Sequence, residues 1–294
     1  MKKIYLLTAI TALIIGSCSK DNSYQEEGLM QFRAEYPTTK ATATDFETGD
    51  QMGVFVTKYD NDTPTPLQIS GNYANNIKSV FNGTKWENSP AIYWEDGKFD
   101  VYAFYPYSSL SSVDEHIFFV AADQSSQESD SDLGGYEASD FLWAKKAGVT
   151  QSDNQAAGVP LKFSHIMSKL VINLVKGENY SGDIPSDAVI KIHNTVPAAT
   201  IDISNGIVTK YGYEPAKTIT AKKVSNGVYT AIIVPQRMDN RVPLIEVLTN
   251  GVSYLVESKF VFRSGTQHTV NLKLDNNPDK VKIEIGGEIQ EWNQ

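Results

Sequence analysis

LIEVLTNGVSYLVESKFVF, residues 244–262, decides the fold class. Leu244–Thr249 and Val252–Phe262 are rich in valine, isoleucine, leucine and aromatic residues, the composition that suits a pleated, half-buried surface. Between them stands Asn250-Gly251, a pair that supplies the positive φ a tight two-residue hairpin turn demands. Asn205-Gly206 and Asn226-Gly227 repeat the signal upstream. Working outward, the expected strands of the second half are Lys169–Val175, Ala188–His193, Ala199–Ile203, Lys217–Val224, Val228–Val234, Thr266–Leu274 and Lys280–Ile285. Those of the first half are Leu29–Ala34, Met52–Lys58, Lys98–Tyr105, His116–Ala121, Phe141–Ala144 and Val159–Phe163. No run has the length and period of an amphipathic helix. The expected class is therefore all-β, built of stacked antiparallel sheets.

Two polar stretches, Asp123–Gly135 and Thr150–Gly158, read as surface loops. Where the second gives way to a continuous β pattern, near Pro160–Ser164, a domain boundary is expected, dividing the chain into residues 28–163 and 164–294.

The other end of the chain has a different chemistry. Met1-Lys2-Lys3 precedes an apolar run from Ile4 to Ile15 and then Gly16-Ser17-Cys18, the basic, apolar and small-residue parts of a signal peptide. The run is too short to span a bilayer. Residues 1–17 are read as a lipoprotein signal peptide and Cys18, the only cysteine, as the acylated residue that becomes the mature N-terminus. Acylation consumes the thiol, so disulfides and thiolate chemistry are excluded. Several acyl chains on one residue anchor durably. Residues 18–27 follow as a polar, acid-leaning tether.

A net charge of −9 with no basic cluster leaves no electrostatic footprint for nucleic acid. His116, His165, His193 and His268 lack metal-ligand spacing, and the nucleophile-elbow, phosphate-loop and zinc-helix motifs are missing. No catalytic residue, metal or cofactor is expected, although a triad assembled only in space leaves no sequence trace. His165, beside an apolar strand, is read as a hydrogen-bonded structural histidine. Asp60-Asn61-Asp62 and Asp130-Ser131-Asp132 lack the ligand order of a calcium loop.

Four local patterns occur in order. They are Phe32…Thr39-Lys40-Ala41…Phe46-Glu47-Thr48-Gly49-Asp50-Gln51-Met52-Gly53-Val54-Phe55, Tyr93-Trp94…Tyr102-Ala103-Phe104-Tyr105-Pro106-Tyr107, Leu161-Lys162-Phe163-Ser164-His165-Ile166-Met167-Ser168-Lys169-Leu170, and Pro235-Gln236 with a C-terminal Ile289…Trp292. Together, behind the Cys18 motif, they resemble the fimbrillins, lipoprotein pilus subunits of Gram-negative gut and oral anaerobes. The resemblance implies two β-sandwich domains of transthyretin-like topology, location at the outer membrane and cell surface, and partnership with other fimbrial subunits through donor-strand exchange. It also implies an extracellular protease that removes the first mature strand.

This chain offers the parts. Leu29–Tyr36 alternates, with Met30, Phe32, Ala34 and Tyr36 on one face and Gln31, Arg33 and Glu35 on the other. Residues 28–40 are the expected removable strand. Lys40-Ala41 stands where the family usually carries arginine, and Arg33-Ala34 is the alternative cleavage site. The expected donor is the C-terminus, with Val281, Ile283 and Ile285 on one face, then Ile289 and Trp292. A head-to-tail contact of this kind does not close and builds a filament. The rival function is a surface glycan-binding lipoprotein, with Trp86, Tyr93, Trp94, Phe99, Tyr102, Phe104, Tyr105 and Tyr107 as a stacking platform.

Overall fold

The computed structural model describes residues 28–37, 45–127, 129, 132–278, 282–284 and 290–292. The signal peptide, Cys18, the tether, Lys40, Ala41, Val281, Ile285 and Ile289 lie outside the described residues, and Ile283 is described only through its backbone.

The fold is all-β. Strands β1 (Phe32–Glu35), β2 (Gln51–Asp60), β3 (Thr63–Pro64), β4 (Ala74–Phe81), β5 (Trp86–Ser89), β6 (Phe99–Tyr105), β7 (His116–Phe119), β8 (Leu142–Val149), β9 (Val159–Lys162) and β10 (Ser164–His165) come first. They are followed by β11 (Ser168–Lys176), β12 (Val189–Thr195), β13 (Ala198–Asp202), β14 (Ile207–Lys210), β15 (Lys217–Thr220), β16 (Lys222–Ser225), β17 (Val228–Ile233), β18 (Gln236–Thr249), β19 (Val252–Phe262), β20 (Thr266–Leu274), β21 (Lys282–Glu284) and β22 (Gln290–Glu291).

The main sheet of the first half runs β10-β8-β6-β2-β4-β5, with β3 on β2, and faces the small parallel pair β1-β9. The second half stacks β16-β17-β11-β20-β21 against β15-β12-β18-β19. One buried cluster gathers Met30, Phe32, Met52, Val54, Val101, Ala103, Leu161 and Phe163; the other holds Leu170, Ile172, Tyr229, Val270 and Leu272. Phe55, Tyr102 and Phe104 join the second cluster while their neighbours Val54, Val101 and Ala103 join the first. Strands β2 and β6 therefore bury both faces, which is why FDVYAFY is an almost unbroken apolar run with all seven residues buried.

The chain crosses between the two halves after Tyr107. Strand β7 pairs antiparallel with β13, and Asp123 bridges Thr220. Residues N-terminal to the expected boundary thus contribute to sheets of the second half. Inside the stretch read as a surface loop, Gln124 is fully buried: its Nε2 donates to the Ile232 carbonyl (2.7 Å) and its Oε1 accepts from the Ile232 N–H (2.7 Å). A side-chain amide presents one donor and one acceptor side by side, so it pairs with a strand as a peptide group would.

Other departures have local causes. The expected strand Lys217–Val224 breaks at Ala221, and its two parts pair with different sheets. β18 begins at Gln236, before the expected Leu244, because its polar start pairs with the end of β19 across two irregularities. β4, β5 and β14 were not expected; β4 carries Asn76 at φ 44, a bend that erases alternation. A short helix, Gln151–Asn154, lies within the second expected loop. At the hairpin that opened the argument, Asn250 (φ 48) and Gly251 (φ 74) both take the left-handed conformation.

Candidate functional site

The N-terminal segment is held on both sides. Strand β1 runs parallel to β9 with Phe32 opposite Val159 and Glu35 opposite Lys162. Val159 donates its N–H to the Gln31 carbonyl (2.8 Å) and Phe163 to that of Glu35 (3.0 Å). On the other side Met30 donates to the Ile92 carbonyl (2.8 Å), Trp94 donates to that of Gly28 (2.6 Å), and Asn88 Nδ2 reaches the Met30 carbonyl (3.0 Å). Gly158 (φ +73) lets the β9 approach press against Gln31, since a Cβ there would meet the Gln31 carbonyl oxygen at 3.2 Å.

The expected alternation is present. Met30 and Phe32 are 0% and 4% exposed, Ala34 and Tyr36 are partly buried against the same cluster, and Arg33 and Glu35 face solvent as a loose ion pair at 3.6 Å.

Among the described residues the strands of the C-terminal segment pair with β20. β21 pairs with β20, with Ile283 opposite Leu272, and β22 pairs with the start of β20, with Glu291 opposite Thr266. Trp292 ends this path. It is 3% exposed, and its N–H donates to the Gly265 carbonyl (2.8 Å).

The two ends meet at His165. The Trp292 ring stacks on the imidazole at 3.7 Å between centroids and 5° between planes, and the Tyr36 ring meets the imidazole edge-on at 5.8 Å. His165 Nδ1 lies 2.9 Å from Asp140 Oδ1, and both residues are buried. Lys169 Nζ sits 5.5 Å from the Trp292 ring centre. Burial pushes the Lys169 ammonium below its usual range, with Asp140 acting in the opposite direction.

From Tyr36 the chain of rings continues. Phe46 touches Tyr36 (5.1 Å), Trp86 (5.0 Å), Tyr105 (5.6 Å) and Phe163 (5.5 Å), all steeply inclined. Tyr105 Oη donates to Asp50 Oδ1 (2.8 Å), and the Glu47 N–H donates to Asp50 Oδ2 (2.7 Å). Burial first, and Asp50 second, push the Tyr105 hydroxyl far above its ordinary range. The Phe46…Asp50, Tyr102…Tyr107, Leu161…Leu170 and Ile289…Trp292 patterns, distant in sequence, are therefore joined in one aromatic cluster. The sequence marked His165 as structural; its stacking with Trp292 had no local signal, because the two are brought together by the path of β20.

The sugar platform of the rival reading is not exposed. Trp86, Trp94, Phe99, Tyr102, Phe104 and Tyr105 are all buried, and of the eight aromatics only Tyr93, at 59%, is largely open. A Thr218–His193–Glu246 chain does form, with 2.9 Å from Thr218 Oγ1 to His193 Nδ1, 2.9 Å from His193 Nε2 to Glu246 Oε2, and Ser253 Oγ donating to Glu246 Oε1 at 2.6 Å. It stitches four neighbouring strands together side by side. The Ser253 hydroxyl, followed by His193, holds the Glu246 carboxyl below its usual range. Among the described residues no group of histidines and carboxylates is placed to hold a metal ion.

Comparison with known proteins adds a family. A fimbrillin-like family model matches residues 39–292. No curated protein matches the chain. Among solved structures, a provisionally named cell adhesion protein from Bacteroides uniformis aligns with a TM-score of 0.66 at 18% identity, covering 92% of this chain and 99% of its own. One with the same provisional name from Bacteroides ovatus gives 0.66 at 19%, covering 90% and 98%. A fimbrial protein from Bacteroides vulgatus gives 0.50 at 13%, covering 90% and 99%. At these identities the likeness speaks for the fold alone.

Proposed function

The chain belongs to the fimbrillin-like family, and from that premise we propose that it is a structural subunit of a cell-surface fimbria, made as an outer-membrane lipoprotein through Cys18 and polymerised by strand exchange. The observation that carries this reading is the seating of residues 28–36. Met30 and Phe32 are buried in the first-half core, and the segment is hydrogen-bonded to Ile92 and Trp94 through Gly28 and Met30 and to β9 along Phe32–Glu35. Its withdrawal leaves an apolar groove and two rows of unpaired backbone groups. Unpaired strand edges of this kind template the pairing of another chain. Burying two to four such side chains is worth roughly 3–12 kcal/mol, as an upper bound.

The C-terminal segment suits the donor role. It lies at the edge of its sheet and leaves intact the pairing of β20 with β11 when it departs. Each subunit then gives a strand at one end and takes one at the other, and the fibre supports attachment or biofilm formation. The two stacked halves, with β7 of the earlier sequence paired into the second, are the links of that fibre, and the reading involves no catalysis.

Of the two basic positions, Arg33 lies within paired β1, so a cut there leaves Ala34–Tyr36 seated. A cut after Lys40 removes the whole strand. The burial of six of the eight aromatics proposed for sugar stacking argues against the glycan-binding reading.

The test is assembly. Purified protein trimmed after Lys40 is expected to form ladders that resist mild detergent, because inserted strands leave slowly. A trimmed protein that stays monomeric overturns the reading. The N-terminus of the protein from cells then gives its rank: Ala41 or Ala34 marks a cut stalk subunit, and acylated Cys18 marks an anchor that keeps its lipid.

A further inference from the structure

The contact at His165 joins the two segments that the strand-exchange reading treats separately. Strand β1 ends beside Phe163, whose N–H is bonded to Glu35, and two residues later the imidazole has Tyr36 at its edge and Trp292 on its face. The ring is fixed by Asp140 and by the pairing of β10 with β8. Beyond it the chain is bonded to the turn that carries Trp292: Ser264 Oγ donates to the Ile166 carbonyl (2.8 Å) and the Gly265 N–H to that of Met167 (2.9 Å), while Gly265 accepts from Trp292. Tyr36, next to the end of β1, and Trp292, the last described residue of the C-terminal segment, thus rest on the same buried ring.

We propose that Tyr36, His165 and Trp292 form a latch that keeps the C-terminal segment on its own subunit while the N-terminal strand is in place, so that withdrawal of that strand both opens the groove and loosens the segment destined for a neighbour. The inference rests on the strand-exchange reading and adds an order of events to it. Its physical content is a coupling. With Tyr36 present, that side of the imidazole is covered by an aromatic ring. When Tyr36 leaves, water reaches the ring, the packing around it loosens, and the stack with Trp292 weakens. The short pairs of β21 and β22 then hold the segment with little help, at the easily opened end of the range of local stabilities. A subunit that has not been cut keeps its donor at home and does not polymerise prematurely.

Coupling between two sites is reciprocal, and this provides the test. Hydrogen exchange is followed by mass spectrometry on the intact chain and on Tyr36→Ala, Trp292→Ala, His165→Ala and the Tyr36→Ala/His165→Ala double variant. Tyr36→Ala is expected to speed exchange at residues 282–292 roughly two- to tenfold, the range given by the loss of one aromatic contact. Trp292→Ala is expected to speed exchange at residues 30–36 by a similar factor. His165→Ala should do both, and adding Tyr36→Ala to it should give no further change at 282–292. Unchanged exchange in β2 and β6 reports an intact core. Should Tyr36→Ala fail to seat its strand, Tyr36→Leu keeps the apolar bulk and removes the ring edge, with the same readings. Exchange at 282–292 that ignores the ring at position 36 overturns the latch. If such a protein still forms ladders when trimmed, the latch alone falls and strand exchange stands. A Tyr36-dependent change without ladders upholds the latch and removes strand exchange.

Discussion

The two ends of the described chain are both β-strands, and they are held in opposite ways. The first segment is hydrogen-bonded to the 92–94 segment through Gly28 and Met30 and, along β1, to β9, with its apolar side chains at the centre of a core. β21 and β22 pair with β20 at the edge of its sheet, and Trp292, next to β22, is buried. Losing the first segment uncovers the apolar surface that Met30 and Phe32 cover. Losing an edge strand merely moves the edge inward by one position, a state in which many sheets already exist. On the strand-exchange reading proposed above, the first segment is the one whose place is taken and the last is the one that is spared.

The largest effect expected from this contrast comes from deleting residues 28–40. Two fully buried side chains and their ladder bonds amount to about 5–10 kcal/mol, an upper bound. Denaturant unfolding should show this loss in the first-half core, together with binding of a hydrophobic dye. Next is Phe32→Ala, at about 3–5 kcal/mol by the same measurement, against less than about 0.5 kcal/mol for the solvent-facing Arg33→Ala. Trp292→Ala should cost about 2–3 kcal/mol, less than Phe32→Ala because a pocket at the margin of a core collapses more readily. If Trp292→Ala proves the costlier change, the assignment of roles is reversed.

The smallest effect is with pH, and it separates the two halves. His268 lies between Phe260 and Phe262, and burial, helped by Arg263, lowers its pKa to about 4. Burial also lowers that of His116. A histidine with a depressed native pKa binds its proton more readily when unfolded, so the stability it supports is complete above the ordinary value of about 6.5 and is lost as pH falls from there toward 4. Both residues serve the second half or its crossover strand. Thermal unfolding between pH 7 and 4.5 should weaken the second half selectively, and His268→Gln should flatten that dependence.

How much of this could be read from residues alone follows from the range of each interaction. The hairpin at Asn250-Gly251 and the strand expected over Lys98–Tyr105 were legible because turn chemistry and apolar composition are local properties, whereas the burial of both faces of that strand was not. The alternation of Met30, Phe32, Ala34 and Tyr36 was legible for the same reason. Strand Ala74–Phe81, with two asparagines and a bend at Asn76, has no period to detect. The division of Lys217–Val224 at Ala221 was hidden because both parts have the same composition while their partners lie in different sheets. Least legible were the parallel pairings of β1 with β9 and of β11 with β20, the burial of Gln124 inside a polar run, and the seat of Trp292 on His165. Each depends on residues far apart in the chain meeting across a completed sheet. The four patterns that carried the family resemblance supplied what local reasoning could not.

The direct test of the account is a calorimetric titration of the chain trimmed after Lys40 with a synthetic peptide of residues 280–294. Saturable binding with a raised unfolding temperature is predicted, together with no binding to the untrimmed chain, whose groove is already filled. A trimmed chain that ignores the peptide, or an untrimmed one that binds it equally well, contradicts the claim that the first strand occupies a place meant for another molecule.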